Sequence, residues 1–226
     1  ITGAYYKVGD SLRFHAEVTD AQGGRVLTTL PPVTVPIQSP ENAISELRQR
    51  VMGMVAVSQN TGLSKVTGLT RRPPTFEAYQ AFEHGLTLSR DQEYDQAFPE
   101  FVRAFAADSQ FTSALLSAAT TSWNTGQTRV MDSLLKEIRK RESELNEYQR
   151  LRLEAMESRL SGNGQAELAA LRRAASVAPN SQAVYNLADV ALNCDRPDEA
   201  LTALEGLDPD KGEMRGWAPY WYDLTH

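Results

Sequence analysis

Over the first thirty or so residues, apolar and polar side chains alternate. Leu12, Phe14, Ala16 and Val18 fall on one face and Arg13, His15 and Glu17 on the other, the period-two pattern of a half-buried strand. Ile1 to Tyr6 reads as a strand before it and Arg25 to Leu30 as a strand after it. Turns are predicted at Lys7-Val8-Gly9-Asp10 and at Asp20-Ala21-Gln22-Gly23-Gly24. Pro31, Pro32 and Pro36 predict an extended connection. Ser39 followed by Pro40 predicts a helix start, after which Ile44, Leu47, Val51, Met54 and Val55 form a stripe able to cover the sheet. The periodicity fades at about residue 58, and Gly62, Gly68, Pro73 and Pro74 predict a linker. The chain therefore divides into a small α+β segment of three strands and one helix (1–59), a linker (60–74) and a helical part (75–226).

The helical part repeats. Gly85 and Ala97 stand twelve residues apart, with Tyr94, Phe101 and Ala104 at the spacing of a second helix and Ala107-Asp108-Ser109 closing the unit. A second pair has Leu115 and Ala119, a break at Gly126, then Met131, Leu135 and Ile138. A third has Leu151 and Ala155, a break at Gly162-Asn163-Gly164, then Leu171 and Ala174, and ends at Ala178-Pro179. A fourth has Val184, Leu187, Ala188 and Ala191, breaks at Asp195-Arg196-Pro197, resumes with Ala200 and Leu204, and ends at Asp208-Pro209. Small residues are needed where two helices of one hairpin cross closely, and a hairpin that cannot bury its own apolar faces stacks on its neighbours. The fold class is mainly α: an α-solenoid of about four helical hairpins plus the start of a fifth, preceded by the α+β segment.

A period of about 34 residues with helix, turn and helix in each unit resembles the tetratricopeptide repeat. The fit is clearest at Ala81, Gly85, Tyr94, Ala97, Phe101 and Ala104, and at Leu187, Ala188, Ala200 and Leu204, where Asp198-Glu199-Ala200-Leu201 looks like the family's second-helix opening. It is weaker where Met131 and Glu167 replace the usual alanine. Thr2-Gly3-Ala4-Tyr5-Tyr6, Gly9-Asp10-Ser11-Leu12, Val18-Thr19-Asp20 and Gly24-Arg25-Val26-Leu27 are similar to the later half of the TolB-like domain. That domain often precedes tetratricopeptide arrays in multidomain bacterial signalling proteins, including serine/threonine kinases, cyclases and transcription regulators.

The resemblance implies protein or peptide binding on the concave surface lined by the first helix of each pair. The inward positions it implies are Tyr79, Phe82, Leu86 and Arg90; then Leu116, Thr120, Trp123 and Asn124; then Gln149, Arg152, Met156 and Arg159; then Gln182, Tyr185, Asp189 and Asn193. Phe82, Leu86, Leu116 and Met156 also suit packing between helices; the groove set is Tyr79, Phe82, Arg90, Trp123, Asn124, Arg152, Arg159, Tyr185, Asp189 and Asn193. Phe82 stands where the family's carboxylate clamp carries its first lysine, which argues against that mode of binding.

Composition narrows the chemistry. A formal net charge of −6 repels nucleic acid and anionic lipid, and the run Lys136 to Arg141 is interleaved with glutamates as a solvated helix face. The three histidines, His15, His84 and His226, have no partner at metal-ligand spacing, and the single cysteine, Cys194, rules out an internal disulfide. Ser161-Gly162-Asn163-Gly164 lacks the length and lysine of a phosphate loop. Asp208 and Asp210 read as helix-end solvation. No cofactor, metal site or catalytic residue is predicted, and the chain is read as non-catalytic. Ile1 in place of Met, and a helix opening at Trp217–His226 with no stop signal, are expected of a piece of a larger protein, with Trp217, Tyr220, Trp221 and Tyr222 as the packing face of a fifth repeat. A structural spacer or oligomerisation element, and a regulatory fragment of an upstream enzyme, are the other functions weighed. Homo-oligomerisation stays open, and so does the compartment, cytoplasmic or extracytoplasmic on a membrane-anchored bacterial protein.

Overall fold

A computed structural model describes residues 1–20, 24, 26–59, 73–208 and 210. Alternation at the N-terminus produces β1 (Thr2–Val8) and β2 (Ser11–Thr19), an antiparallel hairpin closed by Gly9-Asp10. The third ribbon of the sheet is longer than the sequence pattern predicts. β3 (Val26–Thr29) pairs with β2 around Glu17 to Thr19, and β4 (Val33–Pro36) pairs with Ser11 to Phe14 along the same strand. The residues read as an extended connection are thus partly a fourth strand. Pro31 and Pro32, which have no N–H to give the ladder, separate the two. Leu30, Pro31 and Pro32 there lie opposite only His15 and Ala16, so the register slips by one residue.

α1 (Pro40–Gln59) begins where Ser39-Pro40 predicts, but only part of the predicted stripe is packed: Leu47 lies on the sheet and Met54 is buried. Ile44 is 62% exposed and Val55 is exposed too, whereas Ala43, Arg50, Met54 and Val57 turn inward. The helix serves two partners. Ala43 and Leu47 pack with Val33, Val35 and Phe14 of the sheet, while Val57 and Ala56 join the core of the first helical hairpin. Arg50 lies between these two contacts, buried, donating to the Pro73 carbonyl at 3.2 Å and paired with the Asp108 carboxylate. Asp108 also accepts from the backbone N–H groups of Thr75 and Gln110. A charged residue within the inward face explains why the apolar stripe located that face only in part.

Four hairpins follow: α2 (Phe76–Arg90) with α3 (Tyr94–Ala107), α4 (Thr112–Asn124) with α5 (Thr128–Arg139), α6 (Glu147–Leu160) with α7 (Gly164–Val177), and α8 (Gln182–Asn193) with α9 (Pro197–Glu205). Among the described residues no strand lies beyond residue 75. Gly85, Ala119, Ala155 and Ala188 occupy one column of the first helices, each twelve residues before Ala97, Met131, Glu167 and Ala200 in the second, and all eight are buried. These are the period and the small-residue crossings of tetratricopeptide-type hairpins, so the helical part is an α-solenoid.

At Gly85 a β-carbon would stand 2.8 Å from the ring of Phe101. Met131 is absorbed in a core with Leu115, Leu135, Ile138 and Leu153. Each hairpin turns through three residues whose middle one has positive φ: Gln92 (61°), Gly126 (72°), Gly162 (72°) and Asp195 (58°). The connection between α5 and α6 is the longest in the array and contains a short 3-10 turn, Glu142–Glu144. Of the expected linker (60–74), residues 60–72 lie outside the described residues, as does the expected fifth repeat with Trp217, Tyr220, Trp221 and Tyr222, while Pro73 and Pro74 are fully buried.

Candidate functional site

The first helices α4, α6 and α8 lie side by side and are laced together by polar side chains. Asn146 caps α6, and Gln149 closes that capping box by accepting from the Asn146 N–H at 2.9 Å. The Gln149 amide nitrogen then donates to Ser113 Oγ on α4 at 2.7 Å. One turn on, Arg152 Nη2 donates to Thr120 Oγ1 at 3.3 Å on one side and to Gln182 Oε1 at 3.2 Å on the other, with its guanidinium 5.8 Å from the Tyr148 ring centre. Two turns on, Arg159 lies 5.5 Å from the Trp123 ring centre. Its Nε donates to Glu167 Oε1 at 2.5 Å and its Nη2 reaches Asp189 Oδ2 at 3.7 Å. Spacing of three to four residues puts Gln149, Arg152, Met156 and Arg159 on one face of α6, which is why a single helix can rivet both neighbours.

These residues meet in a cleft whose lining includes Thr120, Trp123, Arg152, Met156, Arg159 and Asn186, with Glu167 and Met131 at its base. Its interior volume is about 20 Å³, room for roughly one water. Glu167 is the unexpected member. It occupies the crossing position held by alanine in the first and fourth hairpins, is buried, and is neutralised by Arg159 from the facing helix. Burial pushes its carboxyl above the usual glutamate range, Arg159 pulls it back, and Asp189 adds to the rise. In the sequence the signal was only a glutamate where the repeat usually has alanine; a charge at a closely packed crossing calls for a counter-charge on the opposite helix.

The structure brings together Trp123, Arg152, Arg159 and Asp189 of the predicted groove residues, with Asn124, Tyr185 and Asn193 on the same helices. It does not bring Phe82 to the groove: that ring is 1% exposed and packs against Phe101 and Phe111 at centroid distances of 5.6 and 4.8 Å. Tyr79 is likewise part of the first hairpin's core, and Leu116 is fully buried. In the first hairpin these side chains are turned into the core formed with Phe101 and Phe111. Arg90 is the last residue of α2 and is not part of the cleft lining. Asn186, on the same face of α8 as Asp189, is a groove residue that the predicted register passed over.

Elsewhere the chemistry is plain. His84 is a surface side chain with Nδ1 3.5 Å from Glu100. Cys194, a half-buried thiol, follows α8 as its C-cap. Among the described residues no three His, Cys, Asp or Glu side chains gather as a metal site, and no helix is long and apolar enough to cross a membrane.

No family model matches the chain and no curated protein matches it. Solved structures similar to parts of it include the MamA RS-1 ArsTM double mutant, at 11% identity and TM-score 0.36, covering 57% of this chain and 72% of that one. MamA MSR-1 C2 is 15% identical with TM-score 0.33, covering 57% and 74%. TTC0263, a thermophilic tetratricopeptide protein of Thermus thermophilus, is 18% identical with TM-score 0.37, covering 66% and 95%. At these identities and TM-scores the likeness assigns neither family nor function.

Proposed function

We propose that this chain is a non-catalytic protein-binding module that holds an extended segment of a partner on the concave surface of its helical array. The observation that carries this reading is the continuous face of α4, α6 and α8. There Trp123, Met156 and Asn186 remain partly exposed above a floor fixed by Arg152 and Arg159. A rigid floor with partly exposed aromatic and amide groups suits a ligand that is laid across it. An opening of about 20 Å³ is far below the several hundred Å³ of a metabolite pocket.

Residues 1–59 resemble the later half of a TolB-like domain, and the module suits a multidomain bacterial signalling protein in which that unit is joined to the array through α1. The second reading is a structural spacer. It is favoured by the lacing itself, since Gln149, Arg152 and Arg159 all hold neighbouring helices. A photo-crosslinking residue at exposed Asn124, compared with one at Lys136 on α5, separates the two. The binding module yields partner adducts through position 124 that position 136 does not give. A spacer yields the same background from both.

A further inference from the structure

The charges at the cleft limit what can lie there. Its ionisable groups are Arg152, Arg159, Glu167 and the adjoining Asp189, two cations and two anions, which sum to zero. Neither cation is presented to solvent as an anion receptor. Arg152 is 7% exposed, and its guanidinium is committed to Thr120 and Gln182. Arg159 is committed to the buried Glu167 and lies over Trp123. To take a ligand carboxylate, either would have to release a partner that joins it to another helix, and Glu167 would be left as a buried, uncompensated charge. Asp189, whose side chain is 53% exposed, stands at the mouth and repels a second anion. A cationic ligand would meet Asp189, whose charge is already offset by Arg159 at 3.7 Å.

What remains for contact is apolar and amide. Trp123 and Met156 are half-buried with surface to spare, Asn124 and Asn193 are exposed, and Asn186 is half-buried on the cleft wall. Side-chain amides offer both donors and acceptors to a peptide backbone without requiring charge.

Building on the function proposed above, we infer that the cleft selects an uncharged, extended protein segment. One apolar side chain of that segment rests against Trp123 and Met156, and its backbone runs past Asn124, Asn186 and Asn193. Arg152 and Arg159, expected from the sequence to face the ligand, are both already used by the fold.

The test is to pan a display library of random peptides of about 12 residues against the full chain, the length set by the ~3.3 Å rise of an extended residue. The same library is panned against Trp123→Ala and Asn124→Ala. Asn124 is exposed, so its variant keeps the test in force if Trp123→Ala fails to fold. Peptides that bind the wild type and are lost or weakened at least fivefold by a variant are sequenced, and their affinities are measured by fluorescence anisotropy at low and high salt. The expected binders carry no net charge and share one apolar position. Their Kd changes by less than about threefold over a tenfold rise in salt, because no solvent-exposed ion pair is screened. Variant-sensitive binders rich in Asp and Glu, or in Lys and Arg, whose affinity drops about tenfold over that range, overturn the inference and leave the groove reading standing. If no binder responds to either variant, the groove reading falls and the inference falls with it.

Discussion

Gly85 shows how a single residue sets the geometry of a hairpin. Alanine is the better helix former by about 1 kcal/mol. Its β-carbon would nevertheless enter the Phe101 ring, which is buried between Phe82 and its own helix and has little room to retreat. Gly85→Ala is expected to destabilise the protein by about 1–3 kcal/mol through overpacking, read from urea denaturation midpoints. Glu167 makes the opposite point, a large polar side chain accepted where a small one is usual. Its carboxyl holds its proton more tightly in the folded than in the unfolded chain. The stability linked to that proton is therefore present below the ordinary glutamate value and is lost as pH rises through the folded value. Glu167→Gln removes the titration, so the stability of the wild type relative to the variant should fall as pH rises above the ordinary glutamate range, followed by denaturant midpoints at each pH. The small-residue columns were legible in the sequence because crossing distance constrains size residue by residue. The Arg159–Glu167 pair was visible there only as a departure from the repeat, since its reason lies on the facing helix.

Among the elements, the turns are the most regular feature. All four hairpins reverse through three residues with the middle one in the left-handed region, but only two of these are glycine. Nothing crowds the missing side chains of Gly126 and Gly162, so the cost of alanine there is conformational. Gly126→Ala and Gly162→Ala should each cost about 1–2 kcal/mol, checked by the shift in thermal midpoint. Gln92, which carries the same strain in the first hairpin, should gain from glycine by a smaller amount, because the freer unfolded chain offsets part of the relief. Glycine marked two of the four turns from sequence; Asp195 was read from its Asp-Arg-Pro neighbourhood, and Gln92 gave no signal. The α6–α7 pairing can be tested as a unit. Glu167→Ala should destabilise by about 3 kcal/mol by stranding a partly buried guanidinium, and adding Arg159→Met should recover most of that loss, measured as a double-mutant cycle. Sequence periodicity located every repeat helix, yet the register carried over from the repeat family put Phe82 and Tyr79 in the groove, where they are core. Periodicity reports which face is apolar, and not which of its side chains are turned into the core.

At the scale of the molecule, α1 joins two units that the sequence separated. The inward face of α1 was read only in part because Arg50 and its partner Asp108 are 58 residues apart, and no local pattern connects them. Removing one side of this buried pair should be severe: Asp108→Ala is expected to cost about 3–5 kcal/mol. Hydrogen exchange should then quicken together in α1, α2 and α3, while α8 and α9 keep their protection, because a stacked array transmits stability chiefly between nearest neighbours. Equal loss of protection along the whole chain would contradict that picture.

The shared helix also makes the sheet and the array mechanically dependent. α1 touches β4 with its first turns and α2 with its last, so any change in the coiling of the hairpins swings the sheet like the short arm of a lever. A segment settling between α4 and α8 would then be registered some distance away, as a change in the tilt of β2 and β4, without any loop having to move.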